Sequence, residues 1–304
     1  MSMSARFLAA CLWLVGVSSV TAQIVLTNVP VADAFVRSLD PAHNYGGAGA
    51  LSVSGPIATN VIGQQEGLLD SFLRFDVSGV VGNFNSIYGA GRWGISSAIL
   101  NVTEQTDVNN TIFDGGVGSF EIRWIANTNW VEGTGKPNNP TTNGVTYAQE
   151  SSILNSNLDK SLGTFFNGGT NGVVRLSLGM SSSFVSNLST GNLVSLFMTA
   201  TMNRSVGFTF HSRDFVDPTQ FPFLEITAIR LPQITSLAIA GPDVKISFTT
   251  TNGVSYTVEY NNDLVTGSWS TLTNNIAGTG GIVTITDSSA AELPRHFYRV
   301  GAGD

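Results

Sequence analysis

Short apolar runs, many alternating with polar residues, recur along almost the whole chain between clusters of glycine, asparagine, serine and threonine. A period of two places successive side chains on opposite faces of a β-strand, whereas a helix needs a period of about 3.6. In the run Ser-Phe-Leu-Arg-Phe-Asp at residues 71–76, one face suits a core and the other a partly solvated surface. The pattern therefore predicts an all-β protein.

Candidate strands fall into two groups along the chain. The first group comprises residues 34–37, 51–54, 71–76, 97–103, 119–125, 172–177, 194–201, 207–212 and 223–228. The second comprises residues 234–239, 244–249, 256–260, 268–272, 281–286 and 297–300. Two segments, 153–162 and 181–188, are expected to form short helices at the end of a sandwich. A composition shift at Arg230-Leu231-Pro232 separates the groups, so we predict a larger domain at residues 23–230 and a smaller one at 231–304.

Residues 1–22 have the pattern of a secretory signal peptide. Arg6 is their only charge, an apolar stretch follows it, and Val20-Thr21-Ala22 matches a small-x-small cleavage site. The apolar stretch is shorter than the ~20 residues of a membrane-spanning helix. We therefore expect a mature chain that is secreted or at the cell surface, extracellular or periplasmic, without membrane insertion. Cys11, the only cysteine, lies in the signal, so no disulfide is expected and lipidation there is a minor alternative.

Charge is scarce. Charged residues make up 12% of the chain, with 14 basic against 21 acidic side chains. Nucleic-acid binding is not expected, because it depends on a basic surface that releases counterions. A polyanionic polysaccharide would also need a basic patch, whereas scattered arginines would favour a neutral one. The candidate arginines for such a patch are Arg37, Arg74, Arg92, Arg123, Arg175, Arg204 and Arg213.

Five short motifs follow one another in order between residues 29 and 228. They are Asp33-Ala34-Phe35-Val36-Arg37, Asn44-Tyr45-Gly46-Gly47, Ser71-Phe72-Leu73-Arg74-Phe75-Asp76, His211-Ser212-Arg213-Asp214 and Phe223-Leu224-Glu225-Ile226-Thr227. Their order resembles the DNRLRE-domain family of secreted modules, and Asn129-Trp130-Val131-Glu132 is similar to the Trp-x-Glu segment of that family. The resemblance implies a jelly-roll β-sandwich without catalytic activity. It also implies carbohydrate binding, since some relatives are assigned that role, with alginate among the ligands.

The last segment resembles the fibronectin-type-III-like modules that are appended to many exported bacterial proteins. The resemblance rests on Ser255-Tyr256-Thr257-Val258-Glu259-Tyr260, Gly267-Ser268-Trp269 and Arg295-His296-Phe297-Tyr298-Arg299-Val300. Trp269 and Tyr298 are interpreted as core or corner residues rather than ligand contacts. The predicted fold class is thus all-β, a jelly-roll β-sandwich followed by a smaller fibronectin-like β-sandwich.

No catalytic constellation is visible in the sequence. The histidines have no zinc-site spacing, no serine occupies a Gly-x-Ser-x-Gly elbow, and no cysteine follows the signal. We therefore predict no catalytic residues, no enzymatic activity and no cofactor apart from the calcium alternative described next. Two carboxylates at a suitable separation would still suffice for glycoside hydrolysis, so a polysaccharide-degrading enzyme stays open as the least favoured alternative.

Asp33 near the start of the motif series and Arg213-Asp214 near its end are expected to lie close together, because terminal strands are commonly neighbours in jelly rolls. The favoured interpretation is an Asp33–Arg213 ion pair that closes the sandwich. The alternative is a structural calcium ion held by Asp33, Asp214 and backbone carbonyls, since calcium takes six to eight oxygen ligands. An arginine beside a divalent cation opposes binding, which favours the ion pair.

Aromatic rings in turns are the candidate sugar-binding residues, because the apolar faces of sugars stack on exposed rings. Tyr45, Trp93 and Tyr147 lie in such regions, and Arg37 is added as a polar contact. Trp130 is interpreted as structural. The predicted function is non-catalytic attachment to extracellular polysaccharide, with a structural or adhesive cell-surface spacer as the alternative.

Overall fold

The computed structural model describes residues 23–60, 62–105, 116–169, 172–201, 207–293 and 295–303. The predicted signal peptide and Arg204 lie outside them. Strands dominate the described residues, so the predicted all-β sandwich fold is confirmed.

The strands are β1 (Gln23–Asn28), β2 (Ala32–Arg37), β3 (Ala50–Ser54), β4 (Leu69–Asp76), β5 (Trp93–Glu104), β6 (Gly118–Ile125), β7 (Lys160–Asn167), β8 (Gly172–Ser177), β9 (Leu193–Ala200), β10 (Gly207–His211), β11 (Phe223–Arg230), β12 (Ile234–Ala240), β13 (Asp243–Thr249), β14 (Ser255–Asn261), β15 (Ser270–Ala277), β16 (Ile282–Asp287) and β17 (Phe297–Gly303). The helices are α1 (Ser78–Tyr88), α2 (Tyr147–Ile153) and α3 (Ser182–Thr190), with 3₁₀ turns at Pro218–Gln220 and Ala290–Glu292.

Strands β1 to β11 form one antiparallel sheet that folds over itself into two layers. One layer contains β1, β11, β5 and β8, and the other contains β2, β4, β9, β6 and β7. Strands β3 and β10 pair with each other and join the layers through single residue pairs, Phe210 with Glu104 and Ser54 with Leu69. The sheet can bend at these narrow junctions because few ladder hydrogen bonds hold it flat there.

The main core fills the space between the layers. Leu73 and Phe75 of β4 belong to the same buried cluster as Leu100 of β5, and each is fully buried. Helices α1 and α3 close the cluster with Phe84 and Phe184, which are also fully buried. Cutting either ring back to alanine would cost about 3–5 kcal/mol, because a cavity would remain where the ring packs.

A second core covers the outer face of β4, which the sequence had suggested was partly solvated. Arg74 and Asp76 on this face are half-buried and exposed, as expected, whereas residues 126–159 cross the face at Phe72 and bury that ring. Phe72 is fully buried between Phe197 and Trp130, at ring-centre distances of 4.9 and 5.6 Å. The indole Nε1 of Trp130 donates to Ser195 Oγ at 3.1 Å, which confirms its structural role. Strand alternation alone cannot reveal that a distant segment lies over the second face.

The helices were predicted less well than the strands. Helix α3 confirms the expectation at residues 181–188, and its Ser181 cap accepts a hydrogen bond from Phe184 N. The helix expected at 153–162 is wrong, since α2 ends at Ile153 and β7 begins at Lys160. Helix α1 was not predicted, although its buried residues recur at the helical spacing of four. Gly79 and Gly82 obscured that signal, because glycine is unfavourable within a helix.

The last strands form a separate pair of sheets. One sheet has the order β12-β13-β16 and the other β15-β14-β17, all antiparallel. Their shared core contains Tyr256 and Phe248, both fully buried, and the Tyr256 hydroxyl accepts a hydrogen bond from Thr251 N at 2.7 Å. Trp269 lies beneath the Arg299 guanidinium, and the Tyr298 hydroxyl donates to Asp287. Both aromatic residues therefore make the intramolecular contacts expected of packing residues.

Sheet pairing changes partners at the predicted boundary. In the described residues, strands up to Arg230 pair only with one another, and strands from Ile234 onward do the same. Leu231 N donates to Arg92 O at 2.9 Å, so the chain leaves the first sandwich just after β11. Independent folding of the two parts remains a prediction.

Candidate ligand cleft and carboxylate cluster

Two of the three predicted sugar-binding rings are not exposed, so the expectation of surface rings at Tyr45 and Trp93 is wrong. Tyr45 is only 4% exposed, stacks on Phe35 with 4.8 Å between ring centres, and donates its hydroxyl proton to Asp40. Trp93 is 8% exposed, and its Nε1 donates to Asn85 Oδ1 at 2.9 Å. Trp93, the first residue of β5, packs against Phe84 of the neighbouring helix α1, whereas the turn that carries Tyr45 is covered by the distant residues 132–134.

Tyr147 and Arg37 are more accessible, yet both are engaged within the protein. Tyr147 is half-buried on α2 and packs against the second core. Arg37 forms an ion pair with Glu66, with 2.8 Å between nitrogen and oxygen. None of the four predicted carbohydrate-binding residues lines the cleft described next.

We call residues 126–159 the crossing segment, and its part from Asn127 to Ile153 forms an open cleft of about 440 Å³ beside Trp130. Its floor includes the buried residues Trp130, Val145 and Ile153. Exposed neutral polar side chains surround this floor, and we call the depression the amide cleft. They are Asn129, Thr142, Asn143, Gln149 and Ser152. Sequence reasoning missed them because isolated amides and hydroxyls in an Asn-rich chain carry no distinguishing pattern.

One buried amide fastens the rim of the cleft to the sandwich. Asn44 Nδ2 donates to the backbone oxygens of Glu132 and Val145, at 2.6 and 2.8 Å. Its Oδ1 accepts from the backbone N–H groups of Gly46 and Gly135, at 3.0 and 3.2 Å. Gly135 also packs so closely against the Asn44 backbone that a Cβ on Gly135 would lie 1.6 Å from the Asn44 backbone oxygen. Glycine is therefore required at position 135.

Three carboxylates meet next to this rim and form the carboxylate cluster. Asp33 lies in β2, Glu132 in the crossing segment and Asp214 in the turn after β10, and one oxygen from each lies within 4.8 Å of the others. Asp33 is fully buried, Glu132 is half-buried and Asp214 is exposed. Asp33 N donates to Glu132 Oε1 at 2.7 Å, which ties β2 to the crossing segment.

The predicted ion pair between Asp33 and Arg213 is wrong, because the Arg213 guanidinium pairs with Glu132 instead. The two residues do meet, but Asp33 Oδ2 accepts the backbone N–H of Arg213 at 2.8 Å. The guanidinium turns away, donates to Val31 O, and places Nε 3.4 Å from Glu132 Oε1. The sequence suggested the proximity, but Glu132 as the charged partner depends on where the crossing segment lies.

Burial dominates the electrostatics of the carboxylate cluster. It raises the pKa of Asp33 to about 8, the Arg213 N–H opposes the rise, and the charges of Glu132 and Asp214 add to it. Burial also raises the pKa of Glu132. Asp33 Oδ1 accepts no hydrogen bond from the described residues.

A second carboxyl pair, Asp70 and Glu150, is buried between β4 and α2. Burial raises the pKa of both groups, and the charge of Asp70 raises that of Glu150 further. Asp70 Oδ1 and Glu150 Oε2 are buried and meet no N–H or O–H donor among the described residues. We expect Glu150 to carry a proton that it shares with Asp70, because two buried, ionised carboxylates would repel each other.

The arginines do not form a basic patch in the described part of the chain. Arg37, Arg123, Arg175 and Arg213 pair with Glu66, Glu121, Glu225 and Glu132, respectively. Arg74 donates to the backbone oxygens of Thr128 and Trp130. The remaining candidates are Arg92, which donates to Gln233, and Arg204, which lies outside the described residues.

Comparison with known proteins identifies no family. No protein-family model matches this sequence, and no curated protein matches it either. Among the described residues, no helix is both long and apolar enough to span a membrane.

Proposed function

We propose that this protein is an exported, non-catalytic module that binds a neutral extracellular polysaccharide in the amide cleft. The observation that carries the proposal is the lining of the cleft, where neutral amides and hydroxyls surround a buried floor. Such groups both donate and accept hydrogen bonds, as the closely spaced hydroxyls of a sugar chain require. The volume of about 440 Å³ lies within the roughly 300–1,000 Å³ range of ligand sites.

A fixed framework supports binding, because a preorganised site loses less entropy when it orders a ligand. Asn143 accepts from Thr134 N at 3.0 Å and from the Thr141 hydroxyl at 2.7 Å. Gln149 Oε1 accepts from Thr146 N at the start of α2. Val131, 60% exposed beside the cleft, offers apolar surface for the C–H faces of a sugar.

The charge distribution supports a neutral ligand. Among the candidate arginines, Arg37, Arg123, Arg175 and Arg213 each pair with a glutamate, which leaves their guanidinium groups less available to a polyanion such as alginate. The DNRLRE-like motif series and the signal-peptide pattern support binding outside the cell. In this proposal the aromatic residues Tyr45 and Trp93 serve the fold rather than the ligand.

Cleft variants test the location of the site. With a soluble neutral polysaccharide that the parent protein binds, we expect Asn129→Ala and Thr142→Ala each to weaken binding roughly 2- to 10-fold, the effect of losing one hydrogen bond. Isothermal titration calorimetry measures the change. Asn252→Ala, an exposed asparagine in the last sandwich, is the matched control and should bind like the parent. Parental affinity in both cleft variants would place the site elsewhere.

A further inference from the structure

The carboxylate cluster contains a buried oxygen that lacks an electropositive partner. Asp33 is 0% exposed, and its Oδ2 accepts the backbone N–H of Arg213. Its Oδ1 has no hydrogen-bond partner among the described residues. One carboxylate oxygen from each of Asp33, Glu132 and Asp214 lies within 4.8 Å of the other two. Burying a carboxylate oxygen without compensation is costly, so a cation, a proton or a water must satisfy it.

We infer that Asp33, Glu132 and Asp214 bind one calcium ion. The donors are all carboxylate oxygens, which hard cations prefer over the softer metals that select sulfur or nitrogen ligands. Calcium–oxygen distances of about 2.3–2.6 Å allow ligands on opposite sides of the ion to be about 5 Å apart, which accommodates the observed spacing. Backbone carbonyls and water would complete the six to eight oxygens that calcium takes.

The position of the arginines does not prevent this binding. The Arg213 guanidinium is directed to Val31 O and Glu132 and forms no ion pair with Asp33. Arg74 also acts on Glu132, but it donates its hydrogen bonds to backbone oxygens of the crossing segment. Three carboxylates outnumber these two cations, so the fully ionised cluster keeps a negative charge. Asp214 is exposed, which gives an ion a route from solvent.

The bound ion would join three parts of the first sandwich. It would link β2, the turn after β10 and the crossing segment that carries Glu132, and so reinforce the Asp33 N–Glu132 hydrogen bond. Ligands that bind the native state alone stabilise it by mass action, so calcium should raise the melting temperature. The inference stands whether or not the amide cleft binds polysaccharide.

The test is calcium titration of the purified full-length protein after dialysis against a chelator. We expect calorimetry to show one calcium ion per chain, with weaker binding of magnesium, and thermal melting to show a calcium-dependent rise in melting temperature. Asp33→Asn and Asp214→Asn should each weaken calcium binding roughly tenfold or more, since even outer-shell changes cost 10–100-fold. Glu292→Gln, an exposed carboxylate elsewhere, should bind like the parent.

Three results would overturn the inference. They are a folded parent protein that binds no calcium, a preference for magnesium, and calcium binding that is unchanged in Asp214→Asn. The Asp214 variant keeps the test decisive if Asp33→Asn fails to fold, because Asp214 is exposed and its replacement leaves no buried cavity. Unchanged folding of Asp33→Asn together with no calcium response in the parent would indicate that a proton or a water satisfies Asp33.

Discussion

Asn44 shows how one residue can hold two distant segments together. It is fully buried, and all four hydrogen-bonding positions of its side-chain amide are used. The backbone groups that bond to Asn44 lie in the turn at residues 44–47 and in residues 132–145 of the crossing segment. The Asn-Tyr-Gly motif that suggested a family resemblance thus has a structural basis in this chain.

Replacing Asn44 should be strongly destabilising. Asn44→Ala leaves buried backbone groups unpaired at about 1–3 kcal/mol each, so we expect the free energy of unfolding to fall by about 3 kcal/mol or more. Urea denaturation measures this loss. Asn155→Ala is the control, because the Asn155 side chain also accepts a backbone N–H, from Asn157, but is exposed, so water can replace it. The free energy of unfolding of this control should fall by about 1 kcal/mol or less. Equal losses of unfolding free energy in the two variants would contradict the account.

The positions of individual site residues could be predicted only where the order of motifs along the sequence indicated which residues meet. The approach of Asp33 and Arg213 followed from their places in the motif series. Glu132 as the ion-pair partner did not, because its position depends on a crossing segment that packs through long-range contacts. The burial of Tyr45 has the same cause, since a polar, glycine-rich turn gives no local sign that another segment will cover it.

At the scale of elements, we expect a proton shared between Glu150 and Asp70 to help hold α2 onto the sheet. Burial raises the pKa of Glu150 to about 8 and that of Asp70 to about 6, both above their ordinary values near 4. A carboxyl with a raised folded-state pKa stabilises the fold fully below its unfolded pKa and loses that contribution as pH rises through the folded value. The contribution of this pair should therefore decline between about pH 5 and pH 9.

Glu150→Gln tests this linkage, because its amide donates to Asp70 at every pH. As pH rises from about 5 to 9, we expect the melting temperature of the parent to fall by several degrees more than that of the variant. Each kcal/mol of lost stability lowers the melting temperature by about 2–4 °C. Differential scanning calorimetry across this range measures the difference. Glu292→Gln should follow the parental profile. Parallel profiles for Glu150→Gln and the parent would exclude a shared proton.

Strands were easier to predict than helices for a physical reason. Strand alternation is read from a few adjacent residues, and most predicted runs match a strand within one or two residues. The strand β7 was missed because Gly163 and a register shift interrupt its pattern. Helix α2 is short and gains its stability from packing on Phe72 and Trp130 in the second core, so its bounds are weakly encoded locally.

At the scale of the whole molecule, the first sandwich should fold without the second. A chain that ends after Pro232 keeps all of β11 and the Leu231–Arg92 hydrogen bond. We expect it to unfold cooperatively with a β-type circular dichroism spectrum, because its main core contains no residue beyond Ala228. A soluble but unfolded product would mean that the last sandwich is needed for the fold.

Affinity electrophoresis tests the proposed function most directly. The purified protein should be retarded in gels that contain at least one neutral glucan, xylan or mannan, and the retardation should change little with salt because no ion pairs are involved. The same polysaccharide, recovered after incubation, should keep its chain length. Lack of retardation on every neutral polymer, or shortening of the polymer with time, would contradict non-catalytic polysaccharide binding.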